Sequence, residues 1–253
     1  MQVPNGRLTA TAPEFRPGRD AILLDVDGTL IDIAPRPDLV HAPQSLLDTM
    51  RALMDLCAGA FALVSGRTLD DLDRIFSPHL FPAIGCHGAQ FRAEPDRPPE
   101  VAGRVPDTIQ RGLVELAAAD PRILVENKGF SVTLHYRHAP DRERALIDGA
   151  KARLEALGGR DLRILGGKKM IEIAPAAVNK GTAVRTLMNR APFAGRRPVF
   201  LGDDVTDEDV FRILPEIGGV GISVGRRMAG ADFMFGTPGE VRAWLARIVE
   251  DAK

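Results

Sequence analysis

The sequence predicts an α/β fold in which a doubly wound parallel sheet is interrupted by an inserted α+β domain. Two observations predict this fold. Near both ends of the chain, short apolar runs alternate with segments of helical periodicity, which is the pattern of a parallel sheet covered by helices. In the middle of the chain, each helical segment is instead followed by a hairpin pattern, which is typical of an antiparallel sheet.

The amino-terminal part of the chain predicts a βαβαβ unit. A helix is expected over Pro43–Cys57, because large apolar residues recur there at helical spacing and proline stands near the first turn. A second helix is expected to begin after Thr68, with Asp71 three residues later in a weakened capping box. The strands of this unit are short apolar runs, predicted at Ala21–Val26, Ala60–Val64 and Ala83–Cys86.

The middle of the chain predicts the inserted domain. The segment Arg92–Pro106 is rich in Pro, Asp, Glu and Arg and is interpreted as a linker. Helices are expected over Asp107–Ala119 and Asp141–Leu157, and each is followed by two strands that are joined by a glycine-containing turn. The four strands are predicted at Arg122–Glu126, Phe130–Arg137, Leu162–Leu165 and Lys169–Ile173.

The parallel pattern resumes after Pro175 and completes the core. Helices and strands alternate again in this part of the chain. The predicted elements are a helix from about Lys180, a strand Pro198–Leu201, a helix Glu208–Leu214, a strand Val220–Val224, a strand near Asp232–Phe235 and a helix Pro238–Asp251. We therefore divide the chain into an N-terminal tail (residues 1–19), a core (residues 20–98 and 176–253) and a cap domain (residues 99–175).

Composition indicates an ordinary soluble protein. The chain has 253 residues, of which 45% are hydrophobic and 26% charged. Its formal net charge of −1 does not favour binding to nucleic acid or to acidic membranes. The first 20 residues lack the apolar region of a signal peptide, and no apolar run is long enough to span a bilayer. Cys57 and Cys86 form no metal or redox motif. We expect a cytoplasmic protein.

Carboxylates, a hydroxyl and a lysine are predicted to collect at one edge of the core sheet, where open α/β sheets bind ligands. Asp25 and Asp27 follow the first strand, Ser65 follows the second, Lys180 begins a helix, and a later strand leads into the acidic run 203–209. Desolvated carboxylates require a cation, and Mg²⁺ is typically held by carboxylates, waters and a substrate phosphate. An aspartate can also be a covalent nucleophile. This pattern favours phosphoryl transfer, with Lys180 and Ser65 holding the transferring oxygens.

The order and spacing of these motifs resemble those of the haloacid dehalogenase superfamily. The matching motifs are Asp25-Val26-Asp27-Gly28-Thr29-Leu30, Ser65, Lys180, and Gly202-Asp203-Asp204 with Asp207. The resemblance implies that Asp25 is the nucleophile and that Asp27 is the general acid and base. It also implies that Asp25, Asp203 and the main-chain carbonyl of Asp27 ligate Mg²⁺, with Asp204 or Asp207 in support. The inserted domain resembles the α+β cap of that superfamily.

Within that superfamily the chain is most similar to the trehalose-phosphatase family, from about residue 21 to about residue 250. The matching stretches are Ser65-Gly66-Arg67, Gly85-Cys86-His87-Gly88-Ala89, Glu126-Asn127-Lys128-Gly129, His135-Tyr136-Arg137, Lys169-Met170-Ile171-Glu172, Asn179-Lys180-Gly181 and Gly202-Asp203-Asp204-Val205-Thr206-Asp207-Glu208. Cys86 departs from the family, since an apolar or aromatic residue is expected before His87. The resemblance implies hydrolysis of trehalose 6-phosphate, with Glu126, Lys128 and Glu172 of the cap gripping the sugar. The further substrate-binding residues that it implies are Ser65, Gly66, Arg67, His87 and Arg137.

Three alternatives stay open. The substrate could be another sugar phosphate, such as a sucrose, glucosyl-glycerol or hexose phosphate, because the core motifs would be identical. The domain could bind a sugar phosphate for regulation without catalysis, although Asp25, Asp27, Lys180 and Asp203 are all present. The same covalent intermediate would also serve a phosphotransferase that moves phosphate to an alcohol. We expect a monomer that acts on a small molecule, without nucleic-acid or membrane partners.

Overall fold

A computed structural model describes residues 12–33, 40–167 and 169–252. Their contacts divide the chain into two units, the first made of the residues up to Glu100 with Asn179–Lys253, and the second of Val101–Val178. The first unit contains a largely parallel sheet of eight strands, and the second an antiparallel sheet of four. The predicted fold class is therefore confirmed.

The described residues form twelve strands and seven α-helices. The strands are β1 (Asp20–Leu24), β2 (Phe61–Val64), β3 (Ala83–Gly85), β4 (Gln90–Arg92), β5 (Glu100–Val101), β6 (Leu124–Asn127), β7 (Val132–His135), β8 (Leu162–Gly167), β9 (Met170–Pro175), β10 (Arg197–Gly202), β11 (Val220–Val224) and β12 (Phe233–Phe235). The helices are α1 (Gln44–Leu56), α2 (Leu69–Ile75), α3 (Asp107–Ala118), α4 (Glu143–Ala156), α5 (Lys180–Met188), α6 (Glu208–Ile213) and α7 (Pro238–Asp251). The predicted bounds of β11 and α7 are confirmed residue for residue.

The sheet of the first unit runs in the order β12-β11-β10-β1-β2-β3-β4-β5. Strand β1 is parallel to both of its neighbours, with Leu24 opposite Leu63 of β2 and Leu201 of β10. All five residues of β1 are buried, as expected for a central strand covered by helices on both faces. The residues that follow β1 therefore emerge between the ends of β2 and β10.

The segment Arg92–Pro106, which was interpreted as a linker, begins inside the sheet, so that prediction is wrong at its start. Arg92 belongs to β4, which pairs antiparallel with β3, and Glu100–Val101 forms the edge strand β5. The Arg92 side chain is buried. The cost of burying its charge is offset because the guanidinium donates to the Asp73 carboxylate at 2.8 Å and to the carbonyl of Phe81. Arg92 was assigned to a linker because its partners, Asp73 and Phe81, are distant in sequence.

Strand β3 ends earlier than the apolar run predicts. Cys86 and His87 have φ angles of 50° and 54°, in the left-handed region, and form a short 3₁₀ turn with Gly88. Residues other than glycine rarely adopt this backbone conformation, and a strand does not continue through it. The side chains of Cys57 and Cys86 are both buried.

The second unit packs its two helices on one face of the antiparallel sheet β6-β7-β9-β8. Four side chains of the two central strands are almost fully buried in this apolar cluster, namely Val132, Leu134, Ile171 and Ile173. Burying such a side chain contributes roughly 1.5–3 kcal/mol each. Because side chains alternate along a strand, the opposite face of this sheet carries the polar residues. Across the described residues of both units, every helix is too short or too polar to span a membrane.

Candidate active site

Asp25 lies at the carboxyl end of the central strand β1. Its backbone N–H donates to the carbonyl of Leu201 at 2.9 Å, which extends the pairing with β10 by one residue. Its carboxylate is almost fully buried, although it belongs to one of the most strongly hydrated classes of side chain. A buried carboxylate requires compensation, and the structure provides it from the helix α5.

Lys180 compensates two carboxylates at once. Its Nζ donates to Oδ1 of Asp25 and to Oδ1 of Asp207, each at 2.7 Å, and its side chain is 2% exposed. Lys180 is the first residue of α5, and Asn179 caps that helix in a capping box with Thr182. Burial would lower the pKa of Lys180, but the charges of Asp25 and Asp207 outweigh it and raise this pKa. The ammonium is therefore a permanent positive charge within the site.

Asp207 organises the loop after β10. One of its oxygens accepts from Lys180, and the other accepts from the backbone N–H groups of Asp203 and Asp204, at 3.0 and 3.1 Å. The Asp207 side chain is fully buried, whereas Asp204 is exposed and caps the short 3₁₀ turn that follows it. Asp207 thus holds its neighbours in place through hydrogen bonds.

The arrangement of carboxylates fits a divalent cation. Ligand oxygens of Asp25, Asp203 and Asp207 all lie within 4.8 Å of one another. These carboxylates outnumber the ammonium of Lys180, so the cluster keeps an excess of negative charge. Burial raises the pKa of Asp25 well above its ordinary value and also raises the pKa of Asp203, and the charge of Asp207 adds to both effects. A hard cation such as Mg²⁺ would relieve this repulsion.

Two residues of the first motif give Asp203 its position. Thr29 Oγ1 donates to Oδ1 of Asp203 at 3.2 Å. Gly28 has a φ of 85°, and a Cβ atom there would collide with the Asp203 carboxylate. Glycine at this position therefore both permits the turn and admits the carboxylate. Thr29 lies within the first motif but was not predicted to be a site residue.

Asp27 is held by Arg67 in a two-pronged ion pair. Nε of Arg67 donates to Oδ2 of Asp27 and Nη2 donates to Oδ1, both at 2.6 Å. Such paired hydrogen bonds fix both the position and the plane of a carboxylate. Both residues had been predicted as site residues, but their contact had not.

Ser65, Gly66 and His87 lie together at the ends of β2 and β3. The buried Ser65 accepts at Oγ from the backbone of Arg67 at 3.2 Å, and its carbonyl accepts from the backbone of His87 at 3.0 Å. A Cβ atom on Gly66 would collide with the His87 imidazole, so glycine allows the ring to lie against the loop. His87 therefore joins the loops after β2 and β3, through its backbone hydrogen bond to Ser65 and the packing of its ring against Gly66.

The other predicted substrate residues lie in the second unit. Glu126 of β6 and Glu172 of β9 are both paired with Thr133 of β7, so their side chains share one face of the sheet. Neighbouring strands lie about 4.7–4.9 Å apart, which places the backbones of the two glutamates about 9–10 Å apart. Arg137 is exposed and lies two residues beyond the end of β7.

Glu126 has two close basic neighbours. Lys128 Nζ lies 3.5 Å from Oε1 of Glu126, and His135 Nε2 lies 3.1 Å from Oε2. His135 was quoted among the matching stretches but was not predicted as a site residue. Its signal in the sequence was the alternation along β7, which puts it on the same face as Thr133.

The chain is similar to several known proteins. The family model described as Trehalose-phosphatase matches residues 23–231. A Sinorhizobium fredii protein named probable trehalose-phosphate phosphatase is 41% identical over 223 residues, covering 86% of this chain and 82% of that protein. The trehalose-6-phosphate phosphatase of Escherichia coli is 38% identical over 237 residues, covering 90% and 86%. The structure of the C-terminal domain of trehalose-6-phosphate phosphatase from C. albicans has a similar fold, with a TM-score of 0.71, 22% identity and coverage of 92% and 93%.

Proposed function

The chain belongs to the trehalose-phosphatase family, and we propose that it hydrolyses trehalose 6-phosphate to trehalose and phosphate through an aspartyl-phosphate on Asp25. The observation that carries this mechanism is the cluster of Asp25, Lys180, Asp203 and Asp207 at the end of β1, in which Asp203 is half-buried and the other three side chains are buried. A nucleophilic carboxylate must be ionised beside an anionic substrate, and the fixed ammonium of Lys180 together with a bound cation would favour the ionised form of Asp25 against the effect of burial. The predicted core and cap, residues 20–98 with 176–253 and residues 99–175, divide chemistry from sugar recognition.

In the first step, a carboxylate oxygen of Asp25 attacks phosphorus. The bond between phosphorus and the sugar oxygen breaks, and the leaving oxygen takes a proton from Asp27. Both oxygens of Asp27 accept hydrogen bonds from Arg67 in this structure, so this pair must open and the Asp27 carboxylate must take up a proton from water before Asp27 can donate to the leaving oxygen. Arg67 would then be released to bind the substrate.

In the second step, water attacks the phosphorus of the aspartyl-phosphate. Asp27, now ionised, accepts a proton from this water, and the bond between phosphorus and the Asp25 oxygen breaks. Lys180 and Ser65 would hold phosphoryl oxygens in both steps, because such positive and hydrogen-bonding groups stabilise the charge that develops in phosphoryl transfer.

A divalent cation, which we propose to be Mg²⁺, would be held by the carboxylates of Asp25 and Asp203 and by the main-chain carbonyl of Asp27. When bound, it neutralises phosphate charge and allows a carboxylate to approach an anion. Asp207 would support this site from outside, because its oxygens already accept from Lys180 and from two backbone N–H groups. Asp204 would support the loop by capping the turn.

We assign sugar recognition to Glu126, Lys128 and Glu172. Trehalose offers many hydroxyl groups, and carboxylates and ammonium groups make charge-assisted hydrogen bonds with such groups. The two glutamates share one sheet face at a separation that suits a disaccharide, and Lys128 stands beside Glu126. Gly66, Arg67, His87 and Arg137 would make further contacts with the substrate.

Phosphate release from a panel of sugar phosphates tests this proposal. The panel contains trehalose 6-phosphate, sucrose 6-phosphate, a glucosyl-glycerol phosphate and glucose 6-phosphate, each assayed with Mg²⁺. We expect kcat/KM to be highest for trehalose 6-phosphate. A preference for another member would overturn the substrate, and absence of turnover for every member would favour a regulatory domain. Transfer of phosphate to added glycerol in place of water would favour a phosphotransferase.

A further inference from the structure

A buried amide holds the turn that carries Lys128. Gln110 lies on α3 of the second unit and is 9% exposed. Its Nε2 donates to the carbonyl of Val105 at 2.7 Å and to the carbonyl of Gly129 at 3.3 Å. Its Oε1 accepts from Nδ2 of Asn127 at 2.7 Å. One side chain thus joins three points, of which two flank Lys128 directly.

Further hydrogen bonds fix the backbone of the Asn127–Gly129 turn. Asn127 is the last residue of β6, and its Oδ1 accepts from the backbone of Gly129 at 2.9 Å. Gly129 has a φ of 78°, which an L-residue rarely adopts, and its carbonyl also accepts from the backbone of Val105. The backbone of Lys128 donates to the carbonyl of Ser131 at 3.0 Å. Lys128 therefore sits on a backbone whose neighbours on both sides are fixed.

Helix formation does not require glutamine at position 110. Apolar residues fill the neighbouring buried positions of α3, such as Ile109 and Leu113. A buried amide costs free energy unless its groups are hydrogen-bonded, and here the bonds go to the turn and to the segment before α3. The hydrogen bonds of Gln110 thus fix a short connection that, on the proposed function, contacts the substrate.

We propose that Gln110 is a positioning residue for sugar recognition, which fixes the Asn127–Gly129 turn so that Lys128 stands beside Glu126. This inference rests on the proposed sugar-binding role of Lys128 and Glu126. Nζ of Lys128 lies 3.5 Å from Glu126, a spacing that permits both groups to bind neighbouring hydroxyls. Gln110 acts through this turn and makes no contact with substrate of its own.

A double-mutant cycle tests the proposal. The variants are Gln110→Met, Lys128→Ala and the two combined, each assayed on trehalose 6-phosphate and on p-nitrophenyl phosphate. We expect Gln110→Met to lower kcat/KM for trehalose 6-phosphate by ~10-fold, because a displaced binding group loses its orientation. In the Lys128→Ala background the same change should have little further effect, since the residue that it positions is gone. Activity on p-nitrophenyl phosphate should change far less.

Two further variants separate positioning from general stability. Leu146→Ala removes apolar packing from α4 in the same unit, and it should lower Tm without changing the ratio of the two activities. Asn127→Ala changes an exposed side chain of the same hydrogen-bonded set, and it should change that ratio even if Gln110→Met folds poorly. If Leu146→Ala alters the ratio as much as Gln110→Met or Asn127→Ala does, the proposal is overturned.

The outcomes separate this inference from the function on which it rests. If Lys128→Ala leaves trehalose 6-phosphate turnover unchanged, the sugar-binding role of Lys128 is wrong, and the positioning role is wrong with it. Suppose that Lys128→Ala lowers trehalose 6-phosphate turnover. Only the positioning role is then overturned if Gln110→Met leaves this turnover unchanged or lowers both activities in parallel. It is also overturned if the loss caused by Gln110→Met is equally large in the Lys128→Ala background. A non-additive loss that is confined to trehalose 6-phosphate supports both.

Discussion

The Nζ of Lys180 lies 2.7 Å from Oδ1 of Asp25, and both side chains are almost completely buried. Lys180 also donates to Asp207 at the same distance, so its charge stabilises two carboxylates. Removing one member of a buried ion pair leaves the other charge desolvated and without compensation. We therefore expect Lys180 to be needed both for the stability of the folded site and for the proposed reaction.

We accordingly predict that Lys180→Met abolishes phosphate release and destabilises the protein when no divalent cation is present. Loss of one partner of a buried pair typically costs about 3–5 kcal/mol. The measurement is Tm in excess chelator, compared with the wild type and with Arg185→Met, which removes a half-buried basic residue of the same helix that pairs with the exposed Glu216. An unchanged Tm in Lys180→Met would show that the cluster does not depend on this ammonium.

Asp25→Asn should abolish turnover while leaving the fold nearly intact, because the amide is isosteric but does not attack phosphorus. Asp27→Asn should retain the nucleophile but lose the proton donor and acceptor, at a cost of ~10²–10⁴-fold. Phosphate release and mass spectrometry of the intact protein test both variants. With p-nitrophenyl phosphate, whose leaving group needs little protonation, Asp27→Asn should accumulate a phosphorylated form. Normal activity in Asp25→Asn would refute the nucleophile.

Several features of this site could be predicted from the sequence. The rule that ligands bind at the carboxyl ends of parallel strands was sufficient to bring Asp25, Lys180 and Asp203 together, and the structure places them in contact or nearby. The pairing of Arg67 with Asp27 was not predicted, because it joins two loops that are 40 residues apart.

The burial of some polar residues was not predicted from the sequence. Arg92 looked like part of a linker, and Gln110 looked like an ordinary helix residue, until their partners were known. Local periodicity reports which face of an element is apolar, but it does not report which distant carbonyl or carboxylate will satisfy a buried donor. The left-handed conformations of Cys86 and His87 were not predicted either, because such a turn is usually indicated by glycine, and neither residue is glycine.

Catalysis should require a divalent cation, with Mg²⁺ effective and Ca²⁺ inhibitory. Mg²⁺ prefers octahedral coordination, whereas Ca²⁺ accepts more oxygens and could bind the second oxygen of Asp25, which would then be unavailable as a nucleophile. Phosphate release in excess chelator, with Mg²⁺ or with Ca²⁺ restored, tests this prediction. Full activity in chelator would refute it.

Stabilisation by Mg²⁺ should increase with pH. The pKa of Asp25 is raised by burial and by the charge of Asp207, so without metal the folded protein holds a proton there more tightly than the unfolded chain does. A raised pKa in the folded state contributes stability at low pH, and this contribution falls as pH rises from the ordinary aspartate pKa of about 4 through the raised value. A bound cation replaces the proton. The increase in Tm on adding Mg²⁺ should therefore be larger at pH 8 than at pH 5, and an equal increase at both would contradict the electrostatic account.

The final prediction concerns the substrate specificity of the cap. Glu126→Ala, Lys128→Ala and Glu172→Ala should each lower kcat/KM for trehalose 6-phosphate, since remote sugar contacts position the phosphate for reaction. Each lost charge-assisted hydrogen bond should be worth on the order of 1.5–3 kcal/mol, or roughly ten- to a hundredfold. Activity on p-nitrophenyl phosphate should change far less, because this ester has no sugar for these residues to bind.

Glu155→Ala is the matched control, because Glu155 is an exposed glutamate on α4 of the same unit. It should leave both activities unchanged, whereas His135→Ala, which removes the imidazole beside Glu126, should reproduce part of the Glu126→Ala loss. Comparing two substrates in one variant controls for misfolding, since misfolding lowers both activities together. If the three alanine variants lose both activities in parallel, or lose neither, then Glu126, Lys128 and Glu172 do not bind the sugar. Specificity for a disaccharide would then have to arise from residues of the core, such as Arg67 and His87 in the loops after β2 and β3.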